Sequence, residues 1–239
     1  MRRFWDVAGV AGEPGAFRIV LDGKPLKIPG RTAGGAPLAV AGRALAEAIA
    51  AEWQAAGGEK GGQLTMDAVP LTRLAGTAQD RIGPNPGPVA AELARYAESD
   101  LLCYRAERPE ALVVRQARAW QPWLDWLERR HGARLEVAEG VVHRAQDPVA
   151  LGRVHAVMAG MSPLALAALG IAVPGLGSAV LGLALAEGVL DAEEAHRLAH
   201  LDEFFQNEQW GADLEATRRQ EAVAEDLALA ERFLRLSSS

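Results

Sequence analysis

The chain has 239 residues, 49% hydrophobic and 23% charged, a composition that fits a folded globular protein and excludes a disordered one. Its net charge of −6 argues against a nucleic-acid binder, which would carry a basic face. A single cysteine, Cys103, cannot close an internal disulfide, and Met1-Arg-Arg-Phe-Trp-Asp-Val lacks the apolar run of a secretory signal, so a cytoplasmic protein is expected.

Residues 1–30 alternate and turn. Phe17–Leu21 and Lys24–Ile28 flank Asp22-Gly23, a dipeptide that accepts the positive φ of a tight turn, so a β-hairpin is expected. Trp5-Asp-Val7 is a candidate third strand of a meander. Leu45, Ala48, Ile49, Glu52 and Trp53 then mark one face of a helix that Gly57-Gly58 should stop. The glycine-rich stretch 57–62 reads as a hinge. The expected organisation is a small α/β domain over 1–62 and a helical bundle domain over 63–239.

Beyond residue 70 the periodicity is helical. Leu71, Leu74, Ala75 and Ala78 share a face, and Pro84-Asn-Pro-Gly-Pro88 ends that helix and starts another. A longer helix runs from about Glu110 to His131, where Pro122 forces a kink or a restart. Arg134–Val137 is a candidate short strand. Asp147-Pro148 opens the next helix, aspartate capping and proline at the first helical position.

From Val154 to Ala186 no residue carries a formal charge, and Leu164–Ala186 is long enough to span a bilayer. Pro174, Gly175 and Gly177 interrupt it, alanine and glycine make it only mildly apolar, and no Lys/Arg cluster flanks it. Two short helices joined by a turn, buried as a hairpin, are expected, without stable membrane insertion. Asp191-Ala-Glu-Glu194 resembles a capping box opening a helix that Gly211 closes. A last helix covers about Asp213–Leu234, and Ser237–Ser239 form a polar tail. The fold class is therefore α+β: a small N-terminal α/β unit with a hairpin or meander, then a larger orthogonal α-helical bundle.

Candidate chemistry is thin. His196 and His200 share a helix face as zinc-binding pairs do, but Arg197 stands where a zinc protease needs glutamate. Glu193 with His196 and Glu128 with His131 have the spacing used by bundle di-iron proteins, and a helical metalloprotein with a carboxylate/histidine site is the alternative reading. Glu128 and His131, however, sit at a helix end before Gly132. Cys103, between Leu102 and Tyr104, reads as a small core residue. Gly175-Leu-Gly-Ser178 has no basic residue to hold phosphate. No nucleophile or acid–base set assembles, so no enzyme activity and no cofactor are expected.

Trp120, Trp123 and Trp126 recur every three residues and read as core. Trp210 differs, lying at a helix end beside Glu208 and Asp213, where a half-exposed aromatic suits the centre of a binding patch. Residues 187–226 hold 12 acidic side chains against three basic ones, a balance of −9 beside −6 for the whole chain. Such polarisation steers a basic partner or serves as a solvated face.

The chain resembles the assembly chaperone family for the α subunit of the F-type ATP synthase catalytic head, known from mitochondria and alphaproteobacteria. The resemblance lies in Leu21-Asp-Gly-Lys-Pro25, Pro70-Leu-Thr-Arg-Leu-Ala-Gly-Thr-Ala-Gln-Asp-Arg81 and Ser99-Asp-Leu-Leu-Cys-Tyr-Arg105. It continues in Arg115-Gln116 with Trp120-x-Pro122, and in Leu201-Asp-Glu with Gln206-x-Glu208-x-Trp210-Gly211. Val69 stands where methionine is expected, one apolar residue for another. The targeting extension of mitochondrial members is absent, which fits a bacterial protein.

The resemblance implies a chaperone that holds the unassembled α subunit, covers its β-facing surface and releases it on assembly. It implies a monomer before partner binding, and no chemistry of its own. Trp210 is expected to anchor the partner while Glu208, Asp213 and Glu215 orient it.

Overall fold

The computed structural model describes residues 1–28, 35–140, 143–211 and 213–238. Residues 29 and 30 of the opening stretch and Ser239 of the serine tail lie outside the described residues. The chain forms two compact units. A strand-rich unit comprises Met1–Pro86, Ser162–Ala168 and Arg232–Ser239, and a helical unit comprises Gly87–Met161 and Leu169–Glu231. Strands gathered at the N-terminus followed by a helical bundle make the fold mixed α+β, the expected class.

In the strand-rich unit β1 (Ala8–Ala11), β2 (Phe17–Leu21) and β3 (Lys24–Pro25) form an antiparallel meander, with Ala8 opposite Leu21 and Leu21 opposite Lys24. The expected hairpin turns at Asp22 and Gly23, whose φ values are 47° and 75°. Phe17, Ile19 and Leu21 are buried while Arg18 faces solvent, the two-residue period of a one-sided sheet. β4 (Lys27–Ile28) pairs with β5 (Ala36–Pro37), and β6 (Ala39–Val40) pairs with the start of β2.

Trp5-Asp-Val7 is not a strand. The Asp22 carboxylate accepts the backbone N–H groups of Asp6 and Val7 at 3.0 and 2.9 Å, so both donors are taken before a ladder can use them. Those backbone donors, Val7 foremost, also hold the Asp22 carboxyl below its ordinary pKa. Trp5 is fully buried, its indole N–H donating to the Trp53 carbonyl at 3.1 Å.

Helix α1 (Arg43–Ala55) packs on β1 and β2 through Leu45, Ile49 and Trp53. Its Glu52 turns to α2 (Pro70–Thr77) and accepts from the N–H groups of Leu71 and Thr72 at 2.9 and 3.3 Å. No side chain of Val69, which precedes α2, caps it. Glu52→Ala is therefore expected to lower unfolding free energy by about 1–2 kcal/mol in a urea titration, whereas a loss within a few tenths would remove this capping role.

The 57–62 stretch, expected as a hinge, is laced to the N-terminus. The buried Arg3 guanidinium donates to the Gln54 and Ala56 carbonyls at 2.8 and 3.3 Å, and its backbone N–H donates to Gly62 O at 2.9 Å. Gly76 in α2 lets that helix press on Ile28, since an added Cβ would lie 3.3 Å from the isoleucine methyl.

In the helical unit α3 (Gly87–Ala94) packs on α5 (Pro148–Ala159), which Asp147 caps as expected by accepting from Val149 N–H at 2.9 Å. Between them in sequence, α4 (Glu110–His131) runs unbroken through Pro122, so the expected restart does not occur. It ends at Gly132, whose φ of 67° suits a residue without Cβ. The predicted strand at 134–137 is displaced to β8 (Ala138–Glu139), parallel to β7 (Tyr104–Arg105). Gln146 accounts for the shift: its side-chain amide bonds both the N–H and the carbonyl of Glu136, at 2.7 and 3.0 Å.

The uncharged run folds as α6 (Pro163–Leu176) and α7 (Ala179–Ala186). Pro174 does not make the turn; it lies in the last turn of α6, and the chain reverses at Gly177 with φ 61°. Ala179–Leu185 are all buried, and Gly182 permits this, because a Cβ there would meet a Val173 methyl at 2.4 Å. Among the described residues no helix is long and apolar enough to cross a membrane.

The segment from Asp191 to Gly211 is two helices, α8 (Ala192–Ala199) and α9 (Leu201–Trp210), broken at His200. Asp191 caps the first by accepting from Glu194 N–H at 2.7 Å, and Gly211 closes the second with φ 87°. Helix α10 covers Leu214–Ser237.

Candidate functional site

Two of the motifs singled out above, near 115 and near 205, interlock. Gln116 of α4 is almost fully buried; its side-chain amide donates to Asp202 Oδ1 of α9 at 2.7 Å, and its carbonyl oxygen accepts from Ala106 N–H at 2.7 Å. One turn away Trp120, wholly buried, donates from its indole to the Leu198 carbonyl of α8 at 2.9 Å. Arg105 completes the cluster: Nε donates to Leu102 O and Nη1 to Gln116 O, both at 2.8 Å, while the guanidinium lies 5.2 Å from the Trp120 ring. Burial holds the Arg105 pKa below its usual value, yet the two backbone carbonyls and the Trp120 π face keep the cation in place.

At the outer end of this seam Arg115 forks onto Glu208, with Nη1 and Nη2 donating to the two carboxylate oxygens at 2.7 and 2.9 Å. The guanidinium also sits 5.1 Å over Phe205. Its side-chain hydrogen bond lowers the Glu208 pKa and raises that of Arg115. Both side chains are about half exposed, so solvent screens the pair, and its main effect is to fix where α9 ends.

The four predicted site residues lie around that end. Trp210 is 80% exposed, more than the half expected of it, and Leu214 beyond the turn is 77% exposed. Asp213 accepts from Glu215 N–H at 3.0 Å and so caps α10. Glu215 pairs with Arg219 at 3.2 Å, one helical turn on. Thus Glu208, Asp213 and Glu215 each have a local partner within this chain, and Trp210 stands clear of them. Sequence spacing did not reveal Arg115 and Gln116 as the partners of Glu208 and Asp202, because 93 and 86 residues separate the pairs.

The remaining candidates are structural. The Trp120–Trp123–Trp126 stripe splits: only Trp120 is core, while the other two are partly exposed and meet edge to face at 6.3 Å. Successive residues three apart rotate by about 300° around a helix, which carries the stripe off the buried face. The His196 and His200 rings lie 4.3 Å apart, and each has a ring nitrogen 3.0 Å from a carbonyl, of Gln220 and of His196. Among the described residues no three His, Cys, Asp or Glu side chains come together as a metal would require. Cys103 is buried, and desolvation pushes its thiol up to about 12, so it serves as a small core residue.

Fold and site define a class: an α+β protein in which the buried polar side chains lock helices together, while an aromatic tip on an acidic face stays open to solvent. The chain belongs to the ATP12 chaperone protein family, matched over residues 2–128, and is therefore a member of the ATP synthase assembly chaperones. It is similar to the crystal structure of Atp12 from Paracoccus denitrificans at 41% identity and a TM-score of 0.91, with 99% of this chain and 98% of that one covered. A putative chaperone from Agrobacterium tumefaciens matches at 41% identity and a TM-score of 0.87, covering 100% of this chain and 86% of that one. The mitochondrial protein atp12 of Schizosaccharomyces pombe is 24% identical, with 88% of this chain and 74% of that protein covered.

Proposed function

We propose that the protein binds the unassembled α subunit of the F-type ATP synthase catalytic head, shields its β-facing surface and releases it when the head assembles. The observation that carries this reading is Trp210, 80% exposed in the acidic stretch of residues 187–226, with Leu214, four residues on, almost as open. A lone α subunit presents the apolar face meant for its neighbours, and such a face self-associates unless covered. Trp210 and Leu214 supply the apolar anchor. Asp213 and Glu215 offer carboxylates beside it, and Glu208, through Arg115, sets the angle at which the tip is presented. Release by competition with the β subunit needs no catalysis by the chaperone. The higher identity to bacterial structures than to the mitochondrial relative supports a cytoplasmic bacterial setting.

The test is co-expression with the cognate α subunit, followed by size-exclusion chromatography and unfolding curves of the free chaperone variants. Trp210→Ala removes an exposed ring, so its unfolding free energy should stay within about 0.5 kcal/mol of the parent. Its binding should weaken by at least about 2 kcal/mol, the loss typical of a central aromatic anchor. Glu208→Lys faces Arg115 with a like charge and should loosen the end of α9, weakening binding while moving the unfolding curve only slightly. Undiminished co-elution of Trp210→Ala with α would remove Trp210 from the interface.

A further inference from the structure

The Pro70–Arg81 motif and the lysines of β3 and β4 have no part in the Trp210 face, and they meet in one groove of the strand-rich unit. Two hollows of about 480 and 390 Å³ adjoin there, sharing Ile28, Met66 and Thr72 in their walls. The larger has an apolar floor of Leu21, Leu26, Ile28 and Trp53. Its rim carries Met1, Phe4 and Met66, which are 62%, 60% and 45% exposed and make up three of the nine large exposed hydrophobics among the described residues. Scattered exposed apolar residues are ordinary, but three around one hollow form a patch, and methionine adapts to varied apolar shapes.

The groove is also cationic. Lys24 and Lys27 stand exposed at the larger hollow, and Arg73 and Arg81 line the smaller one together with a single acid, Asp80. Arg73 is matched by Asp67 at 2.9 Å, whereas Arg81 forms no ion pair among the described residues. With Asp67 and Asp80 set against these four cations the groove is still net positive, on a chain of net charge −6. Hollows of this size hold two or three side chains.

We propose that this groove is a second docking site, taking an extended polypeptide segment whose apolar side chains fill the larger hollow while a flanking carboxylate meets Arg81. The proposal rests on the chaperone reading for the kind of occupant, an unassembled protein chain. The α/β unit then grips an exposed apolar strand while the acidic tip of the helical unit binds elsewhere on the partner. Arg73 stays with Asp67, and Thr72, bonded to the Trp53 indole at 2.8 Å, shapes the wall between the hollows.

The test uses the full chain and a short fluorescein-labelled peptide of leucine and phenylalanine followed by glutamates, read by fluorescence anisotropy. The parent protein should bind it, and more weakly as salt is raised. Combined Phe4→Ala and Met66→Ala should weaken binding by about tenfold or more, without moving the unfolding curve, since both side chains are exposed. Arg81→Glu should weaken the glutamate peptide and leave a glutamine version unchanged. Absence of binding by the parent, or binding indifferent to these substitutions, overturns the proposal. So does elution as a dimer that Phe4→Ala dissolves, which assigns the groove to a second copy. Co-expression with α separates the two readings. A Phe4→Ala, Met66→Ala variant that holds α as tightly as the parent refutes the groove and leaves the chaperone reading standing. A parent that ignores α while binding the peptide through Phe4 and Arg81 refutes only the choice of α.

Discussion

Asp100→Ala is expected to destabilise the protein by roughly 2–4 kcal/mol at neutral pH, read as a shift of the urea midpoint. Asp100 is fully buried and holds two starts of structure at once. Its Oδ1 accepts from Leu102 N–H at 3.1 Å and from the Ser178 hydroxyl at 2.8 Å, and its Oδ2 accepts from Val180 N–H at 3.1 Å. Ser178 in turn accepts from Leu181 N–H at 3.0 Å, so the aspartate orients the cap of the wholly buried α7. Alanine leaves three buried donors without acceptors, at about 1–3 kcal/mol each, and offsets part of that by removing a buried charge. A loss below about 1 kcal/mol would mean that the donors find water.

The same residue makes stability depend on pH in an unusual direction. Burial raises its pKa from 3.8 to about 6, outweighing the hydrogen bonds from Ser178, Val180 and Leu102, which act the other way. A folded pKa above the unfolded one means that the native state holds the proton more tightly. The stabilisation is fully present below about 3.8 and is lost as pH rises through about 6. Its size is on the order of 3 kcal/mol by the usual conversion. Asp100→Asn cannot ionise, so the difference in stability between it and the parent should change over that window and be flat above it. A difference constant from pH 4 to pH 7 would place the carboxyl near its ordinary pKa.

Trp120→Ala should be comparably severe, at about 3–5 kcal/mol, because a wholly buried indole leaves a cavity that its neighbours fill only in part. Trp120→Phe isolates the polar contribution. It keeps most of the packing, leaves the Leu198 carbonyl without its donor and weakens the ring under Arg105, for an expected loss of about 1–2 kcal/mol. If the two variants lost equal stability, the hydrogen bond and the cation contact would account for the whole effect and the cavity argument would fail.

Local chemistry made much of the fold legible. Asp22-Gly23 demanded a positive-φ turn, Asp147-Pro148 and Asp191 capped helices, and Gly132 ended one, because caps and turns depend on a few neighbouring residues. Helix faces such as Leu71, Leu74, Ala75 and Ala78 followed from their spacing for the same reason. The two strand errors came where a distant group took a backbone partner. The Asp22 carboxylate claimed the N–H groups of Asp6 and Val7, and the Gln146 amide claimed Glu136, so neither predicted strand formed.

The candidate site divides along the same line. Composition and order marked the acidic stretch with Trp210 at its helix end, and the motifs identified the family. Only the tertiary structure decided that Glu208 is held by Arg115, that Gln116 locks Asp202, and that Trp210 stands clear at 80% exposure. A hydrogen bond between residues 93 apart leaves no periodic trace in a sequence, whereas a cap or a helix face is written within a few positions.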